Sequence, residues 1–386
     1  MTFTDPAGWR GVSGADPFDS QMRVLHVAQP VDAGVAGYVE ALSRFQVERG
    51  WDVHVATGAE ANVVPGVTRH LWAAARSPVH GVRSESAVLA TIIDRIDPAV
   101  VVLHSAKAGL VGRLVIRASR PTVYLPHAWS FLALSAKLAP AALNWERQAA
   151  RWTNAVIAVS DAEAELTVER GIHVPLFVVR NPVPPGWPQV DAAHRAAARS
   201  ELGLGDAPLA VSVGRLSRQK GHDVLIEAWP QVLQRVPQAQ LVIVGDGELR
   251  AQLEHAGTPG VTFAGSKPDP RPWVSAADLV VLPSRWEGMS LAMLEALAAG
   301  RSVVTTDVAG SEVVTRSGAG AVVPVEDPTR LADALAERLS GQLDTDAEGR
   351  LGADHARLEH DRNRSLTRAS AVISRAHAFG RLRDAE

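Results

Sequence analysis

Short runs of β-branched and aliphatic residues alternate along this chain with longer stretches whose apolar positions recur every three or four residues. A run that is apolar at consecutive positions suits a strand buried on both faces. The longer period suits a helix packed against such a sheet. The pattern predicts strands at Arg23–Val27, Asp52–Ala56, Val100–Leu103, Thr122–Leu125, Ala155–Val159 and Leu176–Val179. Helices are expected between them at Tyr38–Arg49, Glu85–Ile96, Ala108–Arg120 and Ala162–Arg170. The scheme then restarts, with strands at Leu209–Val213, Leu241–Val244, Val261–Ala264, Leu279–Leu282, Ser302–Thr305 and Ala321–Val325. Its helices are Val224–Val236, Ser290–Ala299 and Thr329–Leu339, and a last one follows at Ser365–Leu382. Such alternation makes an α/β fold with parallel sheets.

The restart falls after Asn181-Pro-Val-Pro-Pro-Gly-Trp-Pro188, whose four prolines cannot sit in a helix or a central strand. The expected organisation is a loose tail (1–20), a first Rossmann-like domain (21–180), a linker (181–190) and a second Rossmann-like domain (191–364). A final helix (365–386) packs back on the first domain. Ligands of doubly wound sheets bind outside the strand C-termini, so two facing domains would share an interdomain cleft.

Composition narrows the chemistry. The chain has 386 residues, a net charge of −3 and no cysteine. Thiolate metal sites, disulfides and cysteine nucleophiles are excluded, and the charge argues against a nucleic-acid partner. The first twenty residues lack the apolar core of a signal peptide, and no apolar run is long enough to span a bilayer, so a cytoplasmic protein is expected. Charge is uneven, however. Between Pro98 and Ser160, Lys107, Arg113, Arg117, Arg120, Lys137, Arg147 and Arg151 face one acid, Glu146. With Trp129, Trp145 and Trp152 this segment suggests either a solvated basic face or peripheral contact with an anionic membrane.

Several constellations sit where strands end. Gly214-Arg-Leu-Ser-Arg-Gln-Lys-Gly221 follows a strand and precedes a helix, which puts Arg215 and Lys220 where phosphates bind in such folds. A solvated basic turn would look the same. In Trp286-Glu-Gly-Met-Ser-Leu-Ala-Met-Leu-Glu295, Gly288 permits close backbone approach, so amides of Gly288, Met289 and Ser290 can point at a phosphate with a helix dipole behind them. Glu287 and Glu295 are eight residues apart, roughly 12 Å along a helix, so they would mark different parts of one ligand. Gln29–Gly37, with Gly34 and Gly37, reads as a loop joining strand to helix, and His127 follows a strand. No paired His/Asp metal pattern is present; Asp344-Thr-Asp346 lies in a late polar stretch away from any strand end.

With these residues in place, the chain resembles the retaining, GT-B-fold glycosyltransferases that include bacterial polysaccharide and mannosyl transferases. The resemblance rests on Ala33-Gly34, His104-Ser-Ala-Lys-Ala-Gly109, Pro126-His-Ala-Trp-Ser-Phe131, Val159-Ser-Asp161, Arg180-Asn-Pro182, Gly214-Arg with Lys220-Gly, Val244-Gly-Asp-Gly247 and the Glu287-x7-Glu295 pair. It implies a nucleotide-sugar donor, with Arg215 and Lys220 on the diphosphate, Glu287 on the transferred sugar and Glu295 on the ribose. His127 would lie near the reacting face, and the Gly34 amide would meet a phosphate. The family often has Gly-Gly where this chain has Ala33-Gly34, a departure that bears on that loop. The implied reaction moves a hexose-type sugar from a UDP or GDP donor, without metal or other cofactor, to an acceptor hydroxyl of unknown identity, a lipid-linked one if the basic segment meets a membrane. A nucleotide-sugar epimerase of the same fold and a non-catalytic nucleotide-sugar sensor are the competing readings.

Overall fold

The computed structural model describes residues 22–29, 33–62, 64–75 and 80–383; the expected N-terminal tail lies outside them. The chain forms two compact units. One runs to Asn181 and takes back the segment from Arg362; the other is Pro182–Asp361.

The first unit contains β1 (Arg23–Ala28), α1 (Ala33–Val47), β2 (Asp52–Thr57), β3 (Thr68–Leu71), α2 (Val82–Ile96) and β4 (Val100–His104). It continues with α3 (Ser105–Ile116), β5 (Thr122–Leu125), α4 (Ala139–Ala149), β6 (Ala155–Ala158), α5 (Asp161–Glu169) and β7 (Leu176–Val178). Its sheet has the order β3-β2-β1-β4-β5-β6-β7, with each paired strand parallel to its neighbours. β4 and β5 are buried throughout, as expected for strands with both faces covered.

The second unit holds α6 (Ala192–Glu201), β8 (Leu209–Val213), α7 (His222–Arg235), β9 (Gln240–Val244), α8 (Arg250–His255), β10 (Val261–Gly265) and α9 (Arg271–Ala276). After these come β11 (Leu279–Leu282), α10 (Leu291–Ala298), β12 (Ser302–Thr306), α11 (Glu312–Ser317), β13 (Gly320–Val323), α12 (Pro328–Leu339) and α13 (Thr345–Glu359). Its strand order is β10-β9-β8-β11-β12-β13, again parallel. In both sheets the first strand lies inside, and the order reverses beside it.

The helices α4, α6, α8, α9 and α11 are additional to the sequence expectation, and three further differences have a clear physical reason. α1 begins at Ala33 and not at Tyr38, so Gly34 and Gly37 are helical and not loop residues. β3 has only His70 buried and offers no apolar run to read. The polar stretch holding Asp344-Thr-Asp346 is the start of α13, where the Asp344 carboxylate accepts from the Ala347 amide at 2.9 Å and Asp346 pairs with Arg195. Those two carboxylates are thus a helix cap and an ion-pair partner.

The closing helix, α14 (Arg362–Arg383), covers one face of the first sheet. Its Leu366, Ala369, Val372, Ile373 and Ala376 join a core with Val24, Leu42, Val102 and Ile157. Ile373 is fully buried there, whereas Leu358 of α13 is 63% exposed. Ile373→Ala should therefore cost roughly 2–5 kcal/mol in urea unfolding, and Leu358→Ala within about 0.5 kcal/mol of nothing. An unmoved midpoint for Ile373→Ala would show that α14 is not part of this core.

Candidate functional site

In the second unit β8 and β11 are neighbours at the point where the strand order reverses, so the segments that leave their C-terminal ends meet. They meet backbone to backbone. Gly221 ends the segment after β8 at φ +66°, and a Cβ built on it would lie 2.0 Å from the Pro283 carbonyl oxygen, just past β11. Only glycine fits, both for the dihedral and for the approach. On the other side Gly245 does the same for Gly214, whose carbonyl oxygen would be 1.9 Å from its Cβ.

This contact brings Lys220 to Glu287. The carboxylate is 8% exposed, and its Oε1 accepts from Lys220 Nζ at 2.5 Å and from Ser284 Oγ at 2.8 Å. Gln219 Nε2 donates to the Trp286 carbonyl at 2.9 Å. Behind them Arg285 donates two bonds to Asp223 at 2.8 Å and others to Glu326 and the Arg218 carbonyl. These bonds fix the turn after β11 against the start of α7. A lysine ammonium has three donors, so Lys220 can hold Glu287 and still meet an anion.

Beyond Glu287 the chain enters α10. Ser290 caps it, accepting from the Met293 amide at 3.4 Å, and first-turn amides of a helix have no internal partner. Gly288 and Met289 are buried, and Gly310 backs them so closely that a Cβ there would be 3.0 Å from Met289 Cα. Glu295, the fifth residue of α10, is partly buried. Burial, with the charge of Asp269 nearby, pushes its carboxyl up to about 7. Among the described residues no hydrogen bond or ion pair reaches the side chains of Glu295 or Arg215. The strand ends thus gather two cations, a helix N-terminus and two carboxylates, one paired and one not. That set can neutralise a diphosphate and accept from hydroxyls.

The first unit carries the other expected residues. Gly34 lies exposed in the first turn of α1, where its amide is one that a helix leaves unpaired; Ala33 opens the same helix, so no positive φ is required of it. His127 follows β5 with φ +52°, and Ala128 has φ +100°. Such a conformation costs of order 1–3 kcal/mol and persists only when its surroundings impose it. Glu163 of α5 does so: its two oxygens accept from the Ala128 amide at 2.8 Å and the Val159 amide at 2.9 Å, while Trp129 Nε1 donates to Thr167 Oγ1 at 3.0 Å. Burial pushes the Glu163 carboxyl up to about 7 against the pull of those amides, and burial lowers His127 to about 4. His127 is therefore neutral near pH 7, a hydrogen-bonding group and not a cation.

The basic segment is smaller than its sequence suggested. Lys107 and Arg113 are buried, paired with Glu85 at 2.8 Å and Glu146 at 2.7 Å, and Trp129 is buried as well. Arg120 is tied to Asp97, and Arg117, Lys137, Arg147 and Arg151 are exposed. Among the described residues no helix is long and apolar enough to cross a membrane.

Sequence reasoning missed Gln219, Ser284 and the Asp223–Arg285 brace. Ser284 was open to detection, as a hydroxyl between a strand end and a carboxylate. The others pair across more than sixty residues and left no local signal.

Residues 33–187 match a family described as Glycosyltransferase Family 4, and residues 207–340 match one described as Glycosyl transferases group 1. The alpha-D-kanosaminyltransferase of Streptomyces kanamyceticus is 34% identical over 210 residues, 50% of this chain and 53% of its own. The match thus spans about half the length of that relative. The D-inositol 3-phosphate glycosyltransferase of Segniliparus rotundus is 29% identical over 375 residues, 85% of this chain and 82% of its own. Sucrose-phosphate synthase from Thermosynechococcus elongatus superposes with a TM-score of 0.79 at 19% identity, covering 95% of this chain and 100% of that one, a likeness of fold.

The Lys220–Glu287 pair offers a direct check on this geometry. A cycle of Lys220→Met, Glu287→Gln and the double change, followed by urea unfolding, should give a coupling of about 1–3 kcal/mol, as for contacting charged groups. Additive losses would mean that the two side chains do not pair.

Proposed function

We propose, from the match of residues 33–187 to Glycosyltransferase Family 4 and of residues 207–340 to the Glycosyl transferases group 1, that this chain transfers a sugar from a nucleoside-diphosphate donor to an acceptor hydroxyl. The observation that carries the reading is the convergence of Arg215, Lys220, the α10 N-terminus and two carboxylates at the reversal point of the second sheet. The donor is a UDP- or GDP-hexose on this reading. Arg215, Lys220 and the amides of Gly288, Met289 and Ser290 neutralise its diphosphate, Glu295 accepts from the ribose hydroxyls, and Glu287 meets the sugar. For the first unit, taken by itself, the roles proposed are a phosphate contact for the Gly34 amide and a sugar contact for His127.

The mechanism follows from where charge grows. Breaking the anomeric bond builds negative charge on the leaving diphosphate and positive character on the sugar ring. Fixed cations and helix amides stabilise the leaving charge, the task a divalent ion performs elsewhere, so the reaction is proposed to proceed without one. Retention is proposed by same-face attack, with the leaving phosphate taking the acceptor proton. Anomeric NMR of the product tests both points, run with and without excess EDTA: retained configuration and undiminished turnover are expected. Inversion would overturn the stereochemical claim, and turnover lost in EDTA but restored by magnesium would overturn the metal claim.

The two glutamates should separate kinetically. Ribose contacts change little during the reaction, so Glu295→Gln should raise donor KM about tenfold and spare kcat. Glu287→Gln should lower kcat and kcat/KM together by about a hundredfold, with circular dichroism as the folding control. The reverse allocation would exchange the two roles.

Donor affinity should also depend on pH through Glu295. Its carboxyl titrates near 7 in the free protein, and ribose hydroxyls that donate to the carboxylate favour its charged form, which lowers the value in the complex. Affinity should then rise with pH up to about 7 and level off above, by about tenfold for each unit the value drops. Calorimetric titration across this range should show the slope in the wild type and none in Glu295→Gln. A slope that survives the substitution belongs to another group.

A further inference from the structure

Three histidines stand in the C-terminal halves of neighbouring strands or just past them in the first unit: His26 within β1, His104 closing β4, and His127 after β5. Their rings are joined nitrogen to nitrogen. His26 Nδ1 lies 3.0 Å from His104 Nε2, and His104 Nδ1 lies 3.2 Å from His127 Nε2. The inner end of the chain is Gln46 of α1, whose Oε1 is 2.7 Å from His26 Nε2. Gln46, His26 and His104 are fully buried. At the outer end, among the described residues, no group bonds His127 Nδ1, and Tyr38 packs edge-on against the ring at 5.1 Å between centroids.

A neutral imidazole carries one proton on its two nitrogens, donating from one and accepting at the other. Burial keeps all three rings neutral near pH 7: it lowers His26 and His127 to about 4, and His104 falls well below its ordinary value by burial and by the two rings beside it. In a row of neutral rings every bond must run in the same direction, so the group at the closed end sets the direction for all. The amide oxygen of Gln46 only accepts. It therefore takes the Nε2 proton of His26, which leaves His26 Nδ1 to accept from His104 Nε2, and His104 Nδ1 to accept from His127 Nε2.

We propose that Gln46, His26 and His104 are positioning residues that hold His127 in its Nε2–H tautomer, so that Nδ1 is presented as an acceptor for a sugar hydroxyl. The tautomer follows from the first unit alone; the sugar contact rests on the transferase reading above. Residues of α1, β1 and β4 thereby decide whether the site histidine accepts or donates a hydrogen bond, without touching the ligand.

Long-range proton–nitrogen NMR of the uniformly ¹⁵N-labelled full chain at pH 7 reads the tautomers, with the three rings assigned from single His→Asn variants. All three should be neutral and protonated on Nε2. Gln46→Met removes the acceptor at similar volume, and should turn His127 into a mixture of tautomers while lowering kcat about tenfold at unchanged donor KM, the scale of one hydrogen bond. Gln46→Glu keeps an acceptor and should keep the wild-type spectrum; if Gln46→Met does not fold, His26→Asn, which interrupts the row, should mix the His127 tautomers instead. A His127 protonated on Nδ1 in the wild type, or a spectrum indifferent to both substitutions, overturns the proposal. Because the spectrum needs no turnover, a chain that shows the tautomers but transfers no sugar contradicts the function and not the relay.

Discussion

Everything proposed for the second unit depends on one close approach, that of Gly221 to the Pro283 carbonyl. Two parallel strands at the reversal of a sheet send their connections to opposite faces, and the gap this opens at their C-terminal ends is where ligands enter. A gap alone gives no chemistry. The segments after β8 and β11 must also come close enough for a lysine on one to reach a carboxylate on the other. Any side chain at 221 would force them apart, and Lys220 would lose Glu287. The buried carboxylate would then face its desolvation without a cation, a cost large enough to make this pair structural.

The two units use the same architecture for different ends. In the second, the strand ends collect opposite charges, which suits a substrate whose charge grows as it reacts. In the first, they collect neutral rings in a buried row, and a carboxylate on α5 holds His127 and Ala128 in a backbone conformation that side chains resist. On the proposed function, an anion would be met with fixed charge in one case and a sugar with directed hydrogen bonds in the other.

The sequence made the frame legible and the pairings mostly not. Strands β5, β8 and β11 were readable to the residue because burial on both faces writes a short run that is almost wholly apolar or β-branched. β3 escaped because only one of its four side chains is buried, and α13 because its first turn is polar and follows an aspartate cap in a stretch that read as a polar loop. α1 was placed five residues late because its early glycines read as a loop, although Gly37 has open space where a Cβ would stand. Lys220 and Glu287 were each picked out by position, but assigned to different parts of a ligand; that they bind each other follows only from strand order. The histidine row, drawn from positions 26, 104 and 127, has no periodicity that a linear reading can find.

The central claim is that the β8–β11 strand ends hold a nucleoside diphosphate through Arg215, whose side chain makes no hydrogen bond or ion pair among the described residues. Isothermal titration of the full chain with UDP and with GDP tests it most directly, comparing wild type with Arg215→Met. One of the two nucleotides should bind with a single site, and the substitution should weaken it roughly tenfold or more, the worth of a charge-assisted hydrogen bond. Binding of neither nucleotide, or binding that Arg215→Met leaves unchanged, would contradict the account.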